Sequence, residues 1–155
     1  MKSPQLFGIF FLILDQFAKF IVDHFVNYGS LVSVISTFNF FNITNIRNTG
    51  AAFGIFQRRN SLFFIGIFII LLCLSIWLYR NWNKINKVQQ YAFCLIISGG
   101  TGNLFDRLFR GAVVDFLDLG FNSLRWPSFN IADSCICIAI FIILNSLIFD
   151  NKKKV

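Results

Sequence analysis

One segment of the sequence limits the possible folds more than any other. Residues 61–79, SLFFIGIFIILLCLSIWLY, form a run of 19 residues without a charged side chain. A helix needs about 20 predominantly apolar residues to cross the hydrocarbon core of a bilayer. Hydrophobic residues make up 56% of the whole chain, and its mean hydropathy is positive. The sequence therefore predicts an integral membrane protein rather than a soluble domain.

Three further apolar segments bring the number of predicted spans to four. The first is interrupted by Asp15 and Lys19 and lacks the small-residue cleavage site of a removable signal peptide. The third contains the small-residue run SGGTG near its end, which favours close helix packing in lipid. We expect a single membrane domain over residues 1–155, mainly α. The predicted transmembrane helices are residues 4–22, 61–79, 88–105 and 131–149.

The segments between these spans carry most of the polar residues. Residues 31–46 are rich in β-branched and aromatic residues that partly alternate, which predicts two short strands at the membrane interface. The glycines of NTGAAFG, residues 48–54, allow a tight turn or a close backbone approach. Residues 106–130 are expected to form a charged loop. Because residues 23–60 and 106–130 face the same side of the membrane, we call it the far side and expect a small β platform there.

The basic residues give little information on orientation. Four spans place both termini on one side, which carries seven Lys and Arg against six on the far side. The positive-inside rule therefore barely discriminates between the two possible orientations in the membrane, although the compact lysine clusters favour cytoplasmic termini. The net charge is +7, but the basic residues mainly flank apolar segments. They are better interpreted as anchors to membrane lipids than as a nucleic-acid surface, and we expect no nucleic-acid partner.

Polar residues from four separate segments converge on the far side of the membrane. They come late in the first span, at the end of the third, in the connection that follows it, and at the start of the fourth. Ionisable groups at a membrane boundary are costly, so their convergence indicates a functional site. These residues are Asp15, Lys19, Asn103, Asp106, Arg107, Asp115 and Asp133.

The available side chains limit the chemistry of such a site. His24 is the only histidine, so a Ser–His or Cys–His arrangement is poorly supported. The four cysteines lie in apolar segments without a CxxC spacing, which favours buried small apolar residues over disulfides or metal ligands. They are Cys73, Cys94, Cys135 and Cys137.

What remains is a set of aspartates. Two carboxylates held close together share a proton, so one can act as a base on water while the other acts as an acid. Asp115 and Asp133 are candidates for this role. Asp133 equally suits the N-terminal cap of the fourth helix, and from spacing alone the cap is the favoured interpretation.

Five motifs in order along the chain give the sequence a family resemblance. They are DQFAK at 15–19, NTGAAFG at 48–54, GGTGNLFDR at 99–107, GAVVDF at 111–116 and WPSFNIAD at 126–133. Together with the four spans between them, they resemble the lipoprotein signal peptidase family, signal peptidase II. Ala139 stands where the family pattern leads us to expect a glycine, which affects packing rather than chemistry.

The resemblance implies a monomeric aspartic endopeptidase in the bacterial cytoplasmic membrane, with cytoplasmic termini and an active site near the extracytoplasmic face. Its implied substrate is a diacylglyceryl-modified prolipoprotein, cut before the lipidated cysteine without a metal or other cofactor. Asp115 and Asp133 would be the catalytic pair. Residues expected to bind substrate or support the pair are Asp15, Lys19, Asn48, Asn103, Asp106, Arg107 and Asn130.

Two other classes of protein compete with this interpretation. A small ion-coupled transporter would also carry intramembrane Asp and Lys residues, but it should show a polar path that continues toward the termini. The second and fourth spans lack such a path. A non-catalytic scaffold is the other alternative, and it should tolerate the loss of either Asp115 or Asp133.

Overall fold

The computed structural model describes residues 3–50 and 60–152, and its framework is a set of four long helices. Each predicted span lies within one of them, and the expectation of a mainly helical membrane protein is confirmed. The prediction of one domain over the whole chain stays a prediction. The helices are α1, Ser3–Phe25; α2, Asn60–Asn81; α3, Lys87–Phe109; and α4, Ile131–Lys152.

Three of these helices are long and apolar enough to cross a membrane among the residues described: α1, α2 and α4. The apolar character of α3 is diluted near its end by Asn103, Asp106 and Arg107. The predicted span at 88–105 therefore stays a prediction. In α1 the usual distribution of side chains is inverted, because Asp15 and Lys19 are buried while several phenylalanines are exposed. Such a helix is suited to a lipid environment, with its apolar side chains facing outward and its polar side chains facing the interior of the protein.

Helix α3 lies at the centre of the bundle and packs against α1, α2 and α4. Glycines make two of these approaches possible. A Cβ at Gly99 would lie 2.4 Å from the backbone oxygen of Ala132, and a Cβ at Gly102 would lie 2.8 Å from Oδ2 of Asp15. The small-residue run of α3 therefore brings α1 and the start of α4 into close contact with α3 at the level of the polar residues.

A four-stranded antiparallel sheet contains, in spatial order, β1, Leu31–Ile35; β2, Phe41–Asn48; β3, Val113–Phe121; and β4, Leu124–Arg125. The two strands predicted within residues 31–46 are confirmed as β1 and β2. The prediction of a loop over residues 106–130 is wrong, because α3 continues to Phe109 and two strands, β3 and β4, follow it. In the register of the sheet, Asp115 pairs with Ile46 of β2.

The turn predicted for NTGAAFG can be compared with the structure only at residues 48–50, because residues 51–54 lie outside the described part of the chain. Its beginning is described. The Gly50 N–H donates to Asn48 Oδ1 at 3.0 Å, so a local hydrogen bond turns the chain directly after β2. This turn sets the position of Asn48 at the end of the sheet.

Candidate active site

Asp115 projects from β3 into a set of amide groups. Its side chain is buried, with 3% of its surface exposed. Asn130 Nδ2 donates to Asp115 Oδ1 at 2.8 Å, and Asn48 Nδ2 donates to Asp115 Oδ2 at 3.0 Å. Each carboxylate oxygen therefore has a neutral donor from a different segment, and β3 rather than a loop fixes the position of the backbone.

Asp133 approaches the same group of amides from α4. Asn103 Nδ2 donates to Asp133 Oδ1 at 2.8 Å. The Asp133 N–H donates to Asn130 Oδ1 at 2.9 Å, so Asn130 is the residue that caps the helix. The alternative that Asp133 serves as the cap is therefore wrong. Asn130 contacts Asp115 through its nitrogen and the backbone of Asp133 through its oxygen, and it brings the two residues to one place.

A buried ionic cluster lies directly behind Asn103. The Lys19 side chain is 0% exposed, and its Nζ lies 2.8 Å from Asp15 Oδ2 and 2.7 Å from Asp106 Oδ2. The same Nζ donates to Asn103 Oδ1 at 3.1 Å. A buried charge is tolerated only when it is paired and hydrogen-bonded, and the two carboxylates and one amide meet that requirement.

The carboxylates of this cluster also hold the backbones that carry the aspartate pair, Asp115 and Asp133. Asp15 Oδ1 accepts a hydrogen bond from the Ala132 N–H at 2.9 Å, one residue before Asp133. Asp106 Oδ2 accepts one from the Val114 N–H at 3.2 Å, one residue before Asp115. The cluster therefore connects α1 and α3 to the two elements that carry the pair.

Arg107 lies beside this network rather than in it. Its Nη2 donates to the Gly50 backbone oxygen at 2.7 Å, and its Nη1 donates to Asn60 Oδ1 at 3.1 Å. Its guanidinium also lies over the Phe63 ring, 5.3 Å from the centroid. Arg107 thus joins the end of α3 to the chain after β2 and to the start of α2.

Several polar residues around the site were not predicted from the sequence. Gln16 donates to Asp106 Oδ1 at 3.3 Å and to the Gly102 oxygen at 3.1 Å, and its position next to Asp15 in DQFAK was an available signal. Asp118 pairs with Arg125 at 2.6 Å and stabilises the β3–β4 hairpin. The sequence offers no periodicity that links these two residues before β3 and β4 are known.

The expectations for cysteine and metal have different outcomes. The four cysteines are free thiols; two of them are buried, whereas Cys73 and Cys137 are exposed on the helix surface, so the expectation that all four are buried is wrong. Within residues 3–50 and 60–152 no group of three His, Cys, Asp or Glu residues is arranged to hold a metal ion. The absence of a metal or other cofactor from the reaction stays a prediction.

The electrostatics of Asp115 lead to a pH prediction. Burial, and then the charge of Asp133, raise its pKa from 3.8 to about 6, although the Asn48 and Asn130 hydrogen bonds act in the opposite direction. Between these values the folded chain keeps a proton that the unfolded chain releases. This contribution to stability is complete below about pH 4 and is lost as the pH rises through 6.

We therefore expect the unfolding free energy in detergent to fall over this window and to fall less in Asp115→Asn. Unfolding curves at pH 4, 5, 6 and 7 measure the effect. Asp23→Asn is the control, because its partly exposed carboxylate pairs with Arg47 and Arg110 and not with the amides around Asp115. Identical pH slopes for the native and Asp115→Asn proteins would contradict the raised pKa.

Comparison with known proteins places this geometry in a family. A family model described as signal peptidase (SPase) II matches residues 7–149. The lipoprotein signal peptidase of Staphylococcus carnosus (strain TM300) is 40% identical over 99% of this chain and 99% of the relative. The Fusobacterium nucleatum subsp. nucleatum protein of the same name is 40% identical over 92% of this chain and 84% of the relative.

The solved structures agree with the sequence relatives. A bacterial membrane enzyme determined at 2.3 Å resolution superposes with a TM-score of 0.88 and 36% identity, covering 99% of this chain and 92% of that chain. A second, at 1.9 Å resolution, gives a TM-score of 0.79 at the same identity over 94% of this chain and 92% of that chain. The chain therefore belongs to the signal peptidase II family and is a membrane protease.

Proposed function

We propose that this protein is an aspartic endopeptidase that removes the signal peptide from diacylglyceryl-modified prolipoproteins, cutting before the lipidated cysteine. The observation that carries the proposal is the meeting of Asp115 and Asp133 on one asparagine, Asn130, at the start of an apolar helix. Relatives of nearly the same length are named lipoprotein signal peptidases. The membrane boundary is also where a lipid-bearing cysteine would hold its peptide bond.

The proposed chemistry uses water as the nucleophile. Asp115 takes a proton from the water, whose oxygen attacks the carbonyl carbon, while Asp133 gives a proton to the carbonyl oxygen. In the second step Asp115 returns its proton to the leaving nitrogen as the C–N bond breaks. One hydroxyl of the intermediate gives its proton to Asp133, which restores the pair. No covalent intermediate forms between substrate and enzyme.

The hydrogen bonds support this division of roles. Amides donate to both oxygens of Asp115, and donors of this kind favour the ionised form of a carboxylate. Asp133 differs from Asp115 in this respect. Among the described residues it accepts a side-chain amide hydrogen bond at one oxygen, from Asn103 to Oδ1. In the free pair, burial and the charge of Asp133 keep the pKa of Asp115 raised. For the reacting pair we place the shared proton on Asp133, with Asp115 as the base. A pKa of about 6 suits a base that works near neutral pH.

The remaining predicted residues have supporting roles in this proposal. Asn48, Asn103 and Asn130 orient the carboxylates, and Arg107 fixes the chain segments next to the site. The protein acts as a monomer in the bacterial cytoplasmic membrane, in contact with membrane lipids. Its termini are cytoplasmic, and the aspartate pair lies near the extracytoplasmic face.

Cleavage by the purified chain is the test of this function. In lipid vesicles, the native protein should release the signal peptide from a diacylglyceryl precursor, at the same rate with and without EDTA. A variant with all four cysteines replaced by Ala should retain appreciable activity, because no proposed step uses a thiol. Loss of cleavage on chelation, or in a folded cysteine-free variant, would contradict the water mechanism.

The orientation has a separate test on the β3–β4 turn. Ser123 is exposed there, and its neighbour Asn122 has a left-handed φ of 51°, so Ser123 is the less strained position for a cysteine. In a cysteine-free background, Ser123→Cys should react with an impermeant thiol reagent in cells whose outer layer is permeable. Lys84→Cys, exposed at the opposite end of α2 and α3, should react only after the membrane is opened. The reverse pattern would invert the topology.

A further inference from the structure

The most connected side chain of the buried ionic cluster is a cation that the proposed chemistry does not use. Lys19 Nζ contacts Asp15, Asp106 and Asn103 at 2.7–3.1 Å, and its side chain is fully buried. An ammonium group has three donors and no acceptor. Its three contacts therefore use its full hydrogen-bonding capacity, and none remains for a substrate.

The contact with Asn103 has a directional consequence. Lys19 and Asn130 both donate to Asn103 Oδ1, at 3.1 and 3.3 Å, so this end of the amide must be the oxygen. The nitrogen of the same amide then points at Asp133 Oδ1, 2.8 Å away. A flipped amide would place its nitrogen against two donors and its oxygen against a carboxylate. Lys19 and Asn130 together thus determine that Asp133 meets a donor, and Lys19 makes the shorter of the two contacts.

The carboxylates paired with Lys19 act on the other parts of the site. Asp15 holds the backbone before Asp133, and Asp106 holds the backbone before Asp115. Lys19 contacts both carboxylates, so a single buried ammonium group joins the supports of the two residues. Among the described residues, neither member of the aspartate pair forms a hydrogen bond or ion pair with Lys19. The charge of Lys19 opposes, from a distance, the rise in the pKa of Asp115 that burial causes, but its hydrogen-bonded connection to the pair runs through Asn103.

We propose that Lys19 is a positioning residue of this reaction, which acts by fixing the amide of Asn103 so that its nitrogen donates to Asp133. The proposal rests on the proposed function, because it takes Asp133 as the acid of the pair. It assigns to Lys19 a role in the rate of the chemical step that is separate from its contribution to stability. A residue that acts only through Asn103 has no effect once that amide is removed.

A double-mutant cycle tests this dependence. Lys19→Met, Asn103→Ala and the combined variant are compared with the native chain in kcat, KM and thermal unfolding, on the diacylglyceryl precursor. We expect each single change to reduce kcat on the order of 10²-fold, with a smaller change in KM, because each removes the oriented donor. The combined variant should lose no more kcat than Asn103→Ala alone. Losses in kcat that multiply would overturn the proposal.

Two controls separate this outcome from unfolding and from failure of the proposed function. If Lys19→Met does not fold, the cycle is run in Asp106→Asn, which removes one of the two carboxylate charges that Lys19 pairs with. The kcat–pH profile is recorded for each folded variant. It should shift equally in Lys19→Met and Asn103→Ala, and an unchanged profile with only a lowered unfolding temperature would show a purely structural lysine. Absence of cleavage by the native chain would instead reject the proposed function.

Discussion

Replacing either Asp115 or Asp133 with Asn is expected to reduce cleavage by about 10³-fold or more. General acid–base catalysis by one positioned group contributes about 10²–10⁴-fold, and each change removes one member of a pair that works as a unit. Asn is close to Asp in shape, so both variants should insert and fold. The measurement is single-turnover release of the signal peptide from a diacylglyceryl precursor, per folded protein.

Asp118→Asn is the matched control for this loss. Asp118 is a second buried aspartate of β3, but it pairs with Arg125 at 2.6 Å and accepts a hydrogen bond from Asn42 at 3.0 Å. We expect this variant to be less stable and to keep near-native cleavage per folded molecule. Near-native turnover by either Asp115→Asn or Asp133→Asn would remove that residue from the catalytic role, and an equal loss in Asp118→Asn would make the effect structural.

An unlipidated precursor is expected to be cut about 10²-fold more slowly than the lipidated form, even at a saturating amount in the same membrane. Each buried methylene contributes roughly 0.8 kcal/mol on leaving water, so two acyl chains hold the cysteine firmly at the boundary. The bond before it then meets the pair in a fixed position. Misplacement by about 1 Å can cost about 10²-fold in rate, so the lipid affects kcat as well as binding.

The lipid prediction is measured by release of the same signal peptide from the two forms. A precursor whose cysteine carries a single acyl chain is the intermediate control, and its rate should lie between the other two. Equal rates at saturation for the lipidated and unlipidated forms would contradict lipid positioning. The protein would then be better described as a general membrane aspartic peptidase.

Helix positions were predictable from the sequence because a bilayer requires long apolar segments. That requirement gives no information about strands, and β3 was missed. Val113 to Leu119 reads as an apolar stretch with two aspartates, and its strand character depends on pairing with β2, which is remote in sequence. Strands 31–35 and 41–48 were visible because their β-branched and aromatic residues alternate locally.

The grouping of the candidate site residues was predictable, but the hydrogen bonds between them were not. Membrane topology alone brings Asp15, Lys19, Asn103 and Asp133 to one level. Which donor meets which oxygen depends on helix rotation and on close approaches such as Gly102 to Asp15, and single-sequence patterns do not encode these. The capping role of Asn130 depends on the first helical residue, the least predictable feature of a helix.

The most direct test of the account is the identity of the bond that is cut. The purified native protein and its Asp115→Asn and Asp133→Asn variants are each incubated with a diacylglyceryl precursor. The masses of the two products, the signal peptide and the lipidated remainder, are then measured by mass spectrometry. The account predicts that the native protein yields a signal peptide ending one residue before the lipidated cysteine, and that neither variant yields this product in the same time. A cut elsewhere in the precursor, or the same product from either variant at a comparable rate, would contradict it.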